Sequence, residues 1–205
     1  MNAGQPIILV SQRVIVDPAT GERRDALDQR WHSFLHEAGF LSVPVPNRRD
    51  SAENLAKVTN PRGILLTGGN DLASLGGDAP ERDETEDALI AHAGRHGVPL
   101  IGVCRGMQMI QRNFGVPIYP VDGHVAPCQT IEFRGGRATV NSFHRFGTHE
   151  TLAPLDVCGR SEDGVVKAVC VQDRPILGIL WHPERLLPHR AEDIGLFRDH
   201  FGLCQ

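Results

Sequence analysis

Gly102-Val103-Cys104-Arg105-Gly106 joins an apolar run, residues 98–103, to a segment of helical periodicity, residues 105–114. Glycines two positions either side of a cysteine permit a sharp strand-to-helix turn and let a neighbouring element approach without a Cβ clash. Such a turn projects the thiol from the carboxyl edge of a sheet at a helix N-terminus, where the dipole and free N–H groups favour thiolate. That is chemistry for nucleophilic acyl transfer, and a thiol nucleophile needs a base with its own orienting group. Trp181-His182-Pro183-Glu184 closes the apolar run 176–180. It sets an imidazole at the end of a second strand, with Glu184 in reach of the other ring nitrogen. Acyl transfer also develops an oxyanion, which needs preorganised N–H donors. The N–H of Arg105 is one natural donor, and Gly68-Gly69 at the end of the run 63–67 supplies a side-chain-free loop for another. Of the ten histidines, His32/His36 and His92/His96 have the i, i+4 spacing of a metal pair. Neither pair has a Glu between its members or a third ligand, so no metal centre is expected.

Positioning these groups requires a sheet whose strands end at one edge. Ile7-Ile8-Leu9-Val10 and residues 40–45, 63–67 and 98–103 read as short buried strands. Helical spacing marks residues 25–38, 83–97 and 105–114, with Gly39 and Gly115 as stops. Strand-like segments follow at 130–133, 138–140, 165–171 and 176–181, then a closing helix at 191–201. The pattern predicts an α/β fold: an open, mostly parallel sheet with helices on both faces and an antiparallel extension. No repeat, low-complexity tract or linker interrupts it, so residues 1–205 are expected to form a single domain. The acidic run Glu81-Arg82-Asp83-Glu84-Thr85-Glu86-Asp87 is expected to be a solvated first helical turn.

Composition narrows the partners. With 205 residues, 40% hydrophobic and 22% charged, the chain is an ordinary globular domain large enough for its own core. A net charge of −4 lacks the basic footprint of a nucleic-acid polymer binder. No secretory leader and no apolar stretch of membrane-spanning length is visible, and the five cysteines (Cys104, Cys128, Cys158, Cys170, Cys204) show no regular spacing. A reduced, cytoplasmic protein that binds no membrane is the expectation.

Taken in order, Thr67-Gly68-Gly69-Asn70-Asp71, the run from Glu81, Gly102-Val103-Cys104-Arg105-Gly106-Met107-Gln108, Val140-Asn141-Ser142-Phe143-His144 and Trp181-His182-Pro183-Glu184 resemble the class I glutamine amidotransferases, above all their stand-alone gamma-glutamyl hydrolase branch. The resemblance is dense over residues 60–190 and loose over the first 50. It implies that Cys104 is the nucleophile, His182 the base and Glu184 the orienter. It implies further that the N–H groups of Gly69 and Arg105 form the oxyanion hole. Gln108 with Ser142, Phe143 and His144 would hold the glutamyl α-groups. No cofactor or metal is implied. The partner is a small gamma-glutamyl compound, and a homodimer is compatible with the reading. The chain departs from the branch at Phe114-Gly115, at the short segment from Val121, and at His144-Arg145 where a double His is usual. These changes fall where the amine side of the substrate would lie.

The N-terminal strings Ser11-Gln12-Arg13, Glu22-Arg23-Arg24-Asp25-Ala26-Leu27-Asp28-Gln29-Arg30-Trp31 and Pro44-Val45-Pro46-Asn47 are similar to the gamma-glutamyl-CDP-amidate hydrolases. These act on the route to phosphoramidate-decorated surface polysaccharide. Their substrate carries a pyrophosphate, which arginine forks suit. Nineteen of the 21 basic residues here are Arg. Coding bias accounts for most of that excess; Arg13, Arg23, Arg24, Arg30, Arg82 and Arg145 are the candidates for the nucleotide, with Arg24 singled out as substrate-binding. The alternatives are another gamma-glutamyl amine, such as gamma-glutamyl-GABA, or a glutaminase that feeds ammonia to a separate synthase.

Overall fold

The computed structural model describes residues 4–203; Cys204 lies outside them. In chain order the elements are β1 (Ile7–Ser11), β2 (Arg13–Val16), β3 (Arg23–Ala26), α1 (Gln29–Glu37), β4 (Leu41–Val45), α2 (Arg49–Thr59), β5 (Gly63–Leu66), α3 (Pro80–His96), β6 (Leu100–Val103) and α4 (Arg105–Asn113). There follow β7 (Tyr119–Pro120), β8 (Val125–Phe133), β9 (Gly136–Phe143), β10 (Phe146–Gly147), β11 (Leu155–Ser161), β12 (Val166–Val171), β13 (Ile176–Ile179) and α5 (Ala191–His200). Nine strands form one sheet in the order β4-β1-β5-β6-β13-β12-β11-β8-β9. The first five are parallel, and from β13 onward each neighbour is antiparallel.

The parallel strands are covered on both faces, which is why β5, β6 and β13 are buried at every position. On one face Ala52 and Ala56 of α2, Leu89 and Ala93 of α3 and Met107 and Ile110 of α4 pack on Leu9, Ile64 and Leu100. On the other, Trp31, Phe34 and Leu35 of α1 meet Phe197 of α5 over Ile8, Leu65 and Ile101. The edge-on pair Phe34–Phe197, 4.8 Å between centroids, ties the two helices together. Among the described residues no helix is long and apolar enough to cross a membrane.

The structure revises several expectations. The helix expected from residue 25 begins at Gln29, because Asp28 caps it by accepting the Arg30 N–H, and Arg23–Ala26 instead pairs antiparallel with Arg13–Val16. That hairpin escapes periodicity because only Val14 among its strand residues is buried. Helix α2 adds to the expected elements; it buries only the small Ala52 and Ala56 and so leaves a weak apolar stripe. Strand β11 is a second addition, and it brings Cys158 against Cys170 of β12, their Sγ atoms 2.6 Å apart.

Candidate active site

Cys104 stands between β6 and α4 with φ 52° and ψ −105°, a backbone conformation a non-glycine residue rarely adopts. Its N–H donates to Ile179 O of β13 at 2.8 Å, and its carbonyl accepts from the Gln108 N–H, so the strained turn is pinned on both sides. Both flanking glycines are required. A Cβ on Gly102 would lie 2.5 Å from the Gly106 carbonyl, and one on Gly106 would lie 2.2 Å from Leu66 O of β5.

β13 delivers His182 to the same edge. Asn141 of β9 clamps its backbone, accepting the His182 N–H at 2.7 Å and donating to its carbonyl at 2.8 Å. Nδ1 of His182 meets Glu184 Oε1 at 2.7 Å, with both residues buried. That leaves Nε2 as the ring nitrogen for the thiol. Gly68 must be glycine beside this ring, since a Cβ there would come within 2.6 Å of His182 Cε1. Burial alone would raise the Cys104 pKa, but the charge and hydrogen bond of His182 outweigh it and hold the thiol below its ordinary value. Burial likewise opposes charge on His182, yet Cys104 and Glu184 together raise its pKa to about 9. Both directions favour a thiolate–imidazolium pair over a neutral thiol and imidazole.

The two expected backbone donors belong to residues of this same cavity. Gly69, with φ 119°, and Arg105, the first residue of α4, line the cavity that holds Cys104. Neither N–H donates to the protein among the described residues. What positions both is the acidic run, two of whose carboxylates are not solvated. Asp83 and Glu86 are buried, and Glu86 accepts from Arg82 Nε at 2.9 Å, from Ser11 Oγ at 2.7 Å and from Arg105 Nη1. Asp83 takes the other arm of Arg105 and Nη1 of Arg112. Arg82 then donates to Thr67 O at 2.7 Å and to Asn70 Oδ1, gripping the loop that carries Gly69. The expected solvated turn holds for exposed Glu84 and half-buried Glu81 and Asp87, and is overturned at Asp83 and Glu86, which α3 points towards the N-terminus of α4 rather than water.

The cavity measures about 260 Å³. Buried Cys104, Gln108, His144 and His182 line it, with exposed Arg13 and Arg145 and half-buried Arg185. Gln108 donates from Nε2 to Phe146 O at 3.0 Å, leaving Oε1 as an acceptor. Phe143 also lines it, with the Arg185 guanidinium 5.2 Å above its ring. Two expected contacts are not there. Ser142 is buried away from the cavity and donates to His124 O. His144 lines the cavity, but Nδ1 faces Phe146 O at 2.9 Å and Nε2 faces Lys167 Nζ at 2.6 Å, so neither nitrogen is free for a ligand.

The arginines divide in the same way. Arg24 pairs with Glu22 at 2.6 Å in solvent and does not reach the cavity. Arg23 is held by Glu81, Arg82 is wholly buried, and Arg30 is exposed on α1 away from the lining. Only Arg13 and Arg145 of the expected set line it, and Arg145 also pairs with Asp71 at 3.1 Å. Arg185 lies outside the expected set although it directly follows Glu184; a position that close to the histidine is signal enough to include it.

The sequence pattern of the Peptidase C26 family matches residues 6–121 and 124–184. The gamma-glutamyl-CDP-amidate hydrolase of Campylobacter jejuni is 27% identical over 203 residues, 96% of this chain and 98% of that protein. The gamma-glutamyl-gamma-aminobutyrate hydrolase of Escherichia coli K12 is 26% identical over 226 residues, covering 90% of this chain and 89% of its own. Among solved structures, a putative GMP synthase protein from Thermoplasma acidophilum superposes with TM-score 0.72 at 21% identity, over 99% of this chain and 96% of that one. That likeness is one of fold.

Proposed function

The chain belongs to the Peptidase C26 family, and from that premise we propose that it is a free-standing thiol hydrolase that cleaves a gamma-glutamyl amide through a thioester on Cys104. The observation that carries this is the convergence, on one cavity, of Cys104, the His182–Glu184 pair and two unpartnered backbone N–H groups. Cys104 Sγ adds to the γ-carbonyl carbon, and the Gly69 and Arg105 N–H groups receive the oxyanion. As the tetrahedral intermediate collapses, His182 Nε2 gives its proton to the leaving nitrogen. Now neutral, the same nitrogen takes a proton from water as the water attacks the thioester; glutamate leaves and the thiolate–imidazolium pair returns. Glu184 keeps the ring in one tautomer throughout. Gln108 Oε1 is the acceptor for the substrate's α-ammonium.

The substrate is gamma-glutamyl-CDP-amidate, yielding cytidine diphosphoramidate on a route to phosphoramidate-bearing capsule or other surface polysaccharide. Two facts support this finer reading. The Campylobacter relative matches almost end to end on both chains. The cavity also carries Arg13, Arg145 and Arg185 on its solvent side, where the amine portion of the substrate must leave. Three guanidinium forks suit the several oxygens of a diphosphate, where 4-aminobutanoate offers a single carboxylate.

Glutamate release from gamma-glutamyl-CDP-amidate, gamma-glutamyl-GABA and glutamine by the purified protein tests it. The expected order puts the nucleotide first by at least roughly tenfold in kcat/KM, an advantage that Arg185→Met and Arg13→Met each reduce. A preference for gamma-glutamyl-GABA, or glutamine turnover that rises only with an added synthase, would overturn the nucleotide reading.

A further inference from the structure

Lys167 of β12 sits behind the cavity, 2% exposed, and takes no part in the chemistry above. Its three ammonium protons are all spent on neutral acceptors: His144 Nε2 at 2.6 Å, His124 Nδ1 at 2.9 Å and Ser142 Oγ at 3.0 Å. The tautomers agree around it. His144 donates from Nδ1 to Phe146 O, and His124 donates from Nε2 to Asp163 at 3.0 Å. Among the described residues no carboxylate pairs with Lys167 directly. Asp163, one imidazole ring away with its side chain 54% exposed, is the carboxylate whose charge Lys167 feels, and water screens it in part.

A buried charge without a counter-ion costs folding free energy, and Met would fill the space more cheaply. A charge kept in such a place is best matched by a charge that arrives with a ligand. The His144 ring that it holds lines the cavity together with Gln108 and Cys104. Arg145 and Arg185 already have carboxylate neighbours, whereas among the described residues Lys167 has none in direct contact. We infer that the Lys167 ammonium, set behind the His144 wall, is the buried counter-charge for the α-carboxylate of the bound glutamyl group and sets the preference for glutamyl over acyl groups that lack that carboxylate. The inference rests on the gamma-glutamyl reading above. Lys167 is thus a positioning and specificity residue: it acts on substrate through the neutral wall it holds, not by contact. Burial brings the Lys167 pKa down to about 8 against the attraction of Asp163 and, after it, of Cys104, whose charge vanishes in the thioester while the ligand carboxylate remains.

The test uses L-glutamate and 4-aminobutanoate, which differ only in the α-carboxylate. Binding of each is measured by calorimetry on the wild-type protein, Lys167→Met and Lys167→Arg, with kcat and KM for gamma-glutamyl-p-nitroanilide alongside. Lys167→Gln replaces the Met variant if that variant lacks a cooperative melt. In wild type, glutamate should bind at least about tenfold tighter than 4-aminobutanoate. Lys167→Met should lose at least about tenfold for glutamate and under about twofold for 4-aminobutanoate, with KM rising more than kcat falls. Lys167→Arg, which keeps the charge, should recover most of the glutamate affinity. Equal binding of the two ligands by wild type, or equal losses for both in the variant, would overturn the inference and leave Lys167 a structural support for His144. Glutamate discrimination that depends on Lys167 without turnover of any gamma-glutamyl amide would keep the anchor and remove the hydrolase reading.

Discussion

Glu86→Gln is the substitution that best separates the buried charge cluster from ordinary packing. Glu86 is wholly buried and bridges Arg82 to Arg105, so one carboxylate links the loop carrying Gly69 to the first turn of α4. Glutamine keeps the volume and one acceptor, but it turns an N–H₂ towards a guanidinium and leaves the set Arg82, Arg105, Asp83 and residue 86 with a net charge of +1. Arg82 already feels this strain: burial and the Arg105 charge bring its pKa down to about 10, against the pull of Glu86. Breaking a buried pair by removing one partner costs about 3–5 kcal/mol. At about 2–4 °C per kcal/mol for a chain of this size, the melting temperature should fall by about 6–20 °C. Because both oxyanion donors hang on the cluster, kcat measured at 25 °C, below the variant's melt, should drop roughly tenfold or more while KM moves less. The acid limb should change as well. Burial alone would raise the Glu86 pKa, but Arg105 and then Arg82 lower it below 4.5. Its contribution to wild-type stability is therefore present above that ordinary value and disappears as pH falls through the folded one; the variant lacks this loss. A melting temperature within about 2 °C of wild type, with kcat unchanged, would refute the claim that the cluster positions the site.

With the Cys104 pKa lowered and that of His182 raised to about 9, the ion pair exists between those two values. The rate of Cys104 alkylation by iodoacetamide should rise with a midpoint below the ordinary thiol value, and kcat/KM should fall as pH rises through about 9; alkylation that climbs with a midpoint near the ordinary thiol value of about 8.5 would refute the pair. The stability that the raised His182 contributes is complete below 6.5 and is likewise lost as pH rises through about 9, so alkaline melts should drop there. Gly68→Ala puts a Cβ 2.6 Å from His182 Cε1 and should displace the ring, cutting kcat by roughly 10²-fold with little change in melting temperature, as steady-state kinetics and calorimetry together would reveal. Cys104→Ala should abolish thioester formation, seen by mass spectrometry as loss of the acyl adduct, and lower glutamate release by at least roughly 10³-fold.

The thiol elbow, the strand before His182 and the Gly-Gly loop were legible because each is a local string: glycines at fixed offsets, or an apolar run that ends at a polar residue. The helix α4 kept its expected start at Arg105 for the same reason, since Cys104 leaves the strand conformation one residue earlier. What stayed hidden depends on what lies across a gap. Nothing in Arg49–Thr59 marks a helix strongly, because Ala52 and Ala56 alone are buried along it. His144 has the right address on the cavity, but Lys167, 23 positions on, takes its outer nitrogen. The functional assignment of Arg24 fails because Glu22, two residues before it, is the nearer partner, a contact any exposed hairpin would allow.

The buried charges share one location, and their location carries more weight than their number. Strands β1, β5, β6 and β13 are apolar along their middles, and this is where stability comes from. At their carboxyl ends the buried side chains turn polar together: Ser11 at the end of β1, Thr67 after β5, Arg105 after β6 and His182 after β13. Each such group subtracts from stability unless it is paired, so a random scatter of them through the core would be selected against by folding alone. Gathered at one edge, they form three separate paired systems: Glu86 between two arginines, Glu184 on His182, and Lys167 on two histidines. The first holds the Gly69 loop and the first turn of α4, and the second holds His182, the proposed base. The third has only solvent-exposed Asp163, one imidazole ring away, and no carboxylate in direct contact, and that is why a ligand carboxylate is the partner it calls for.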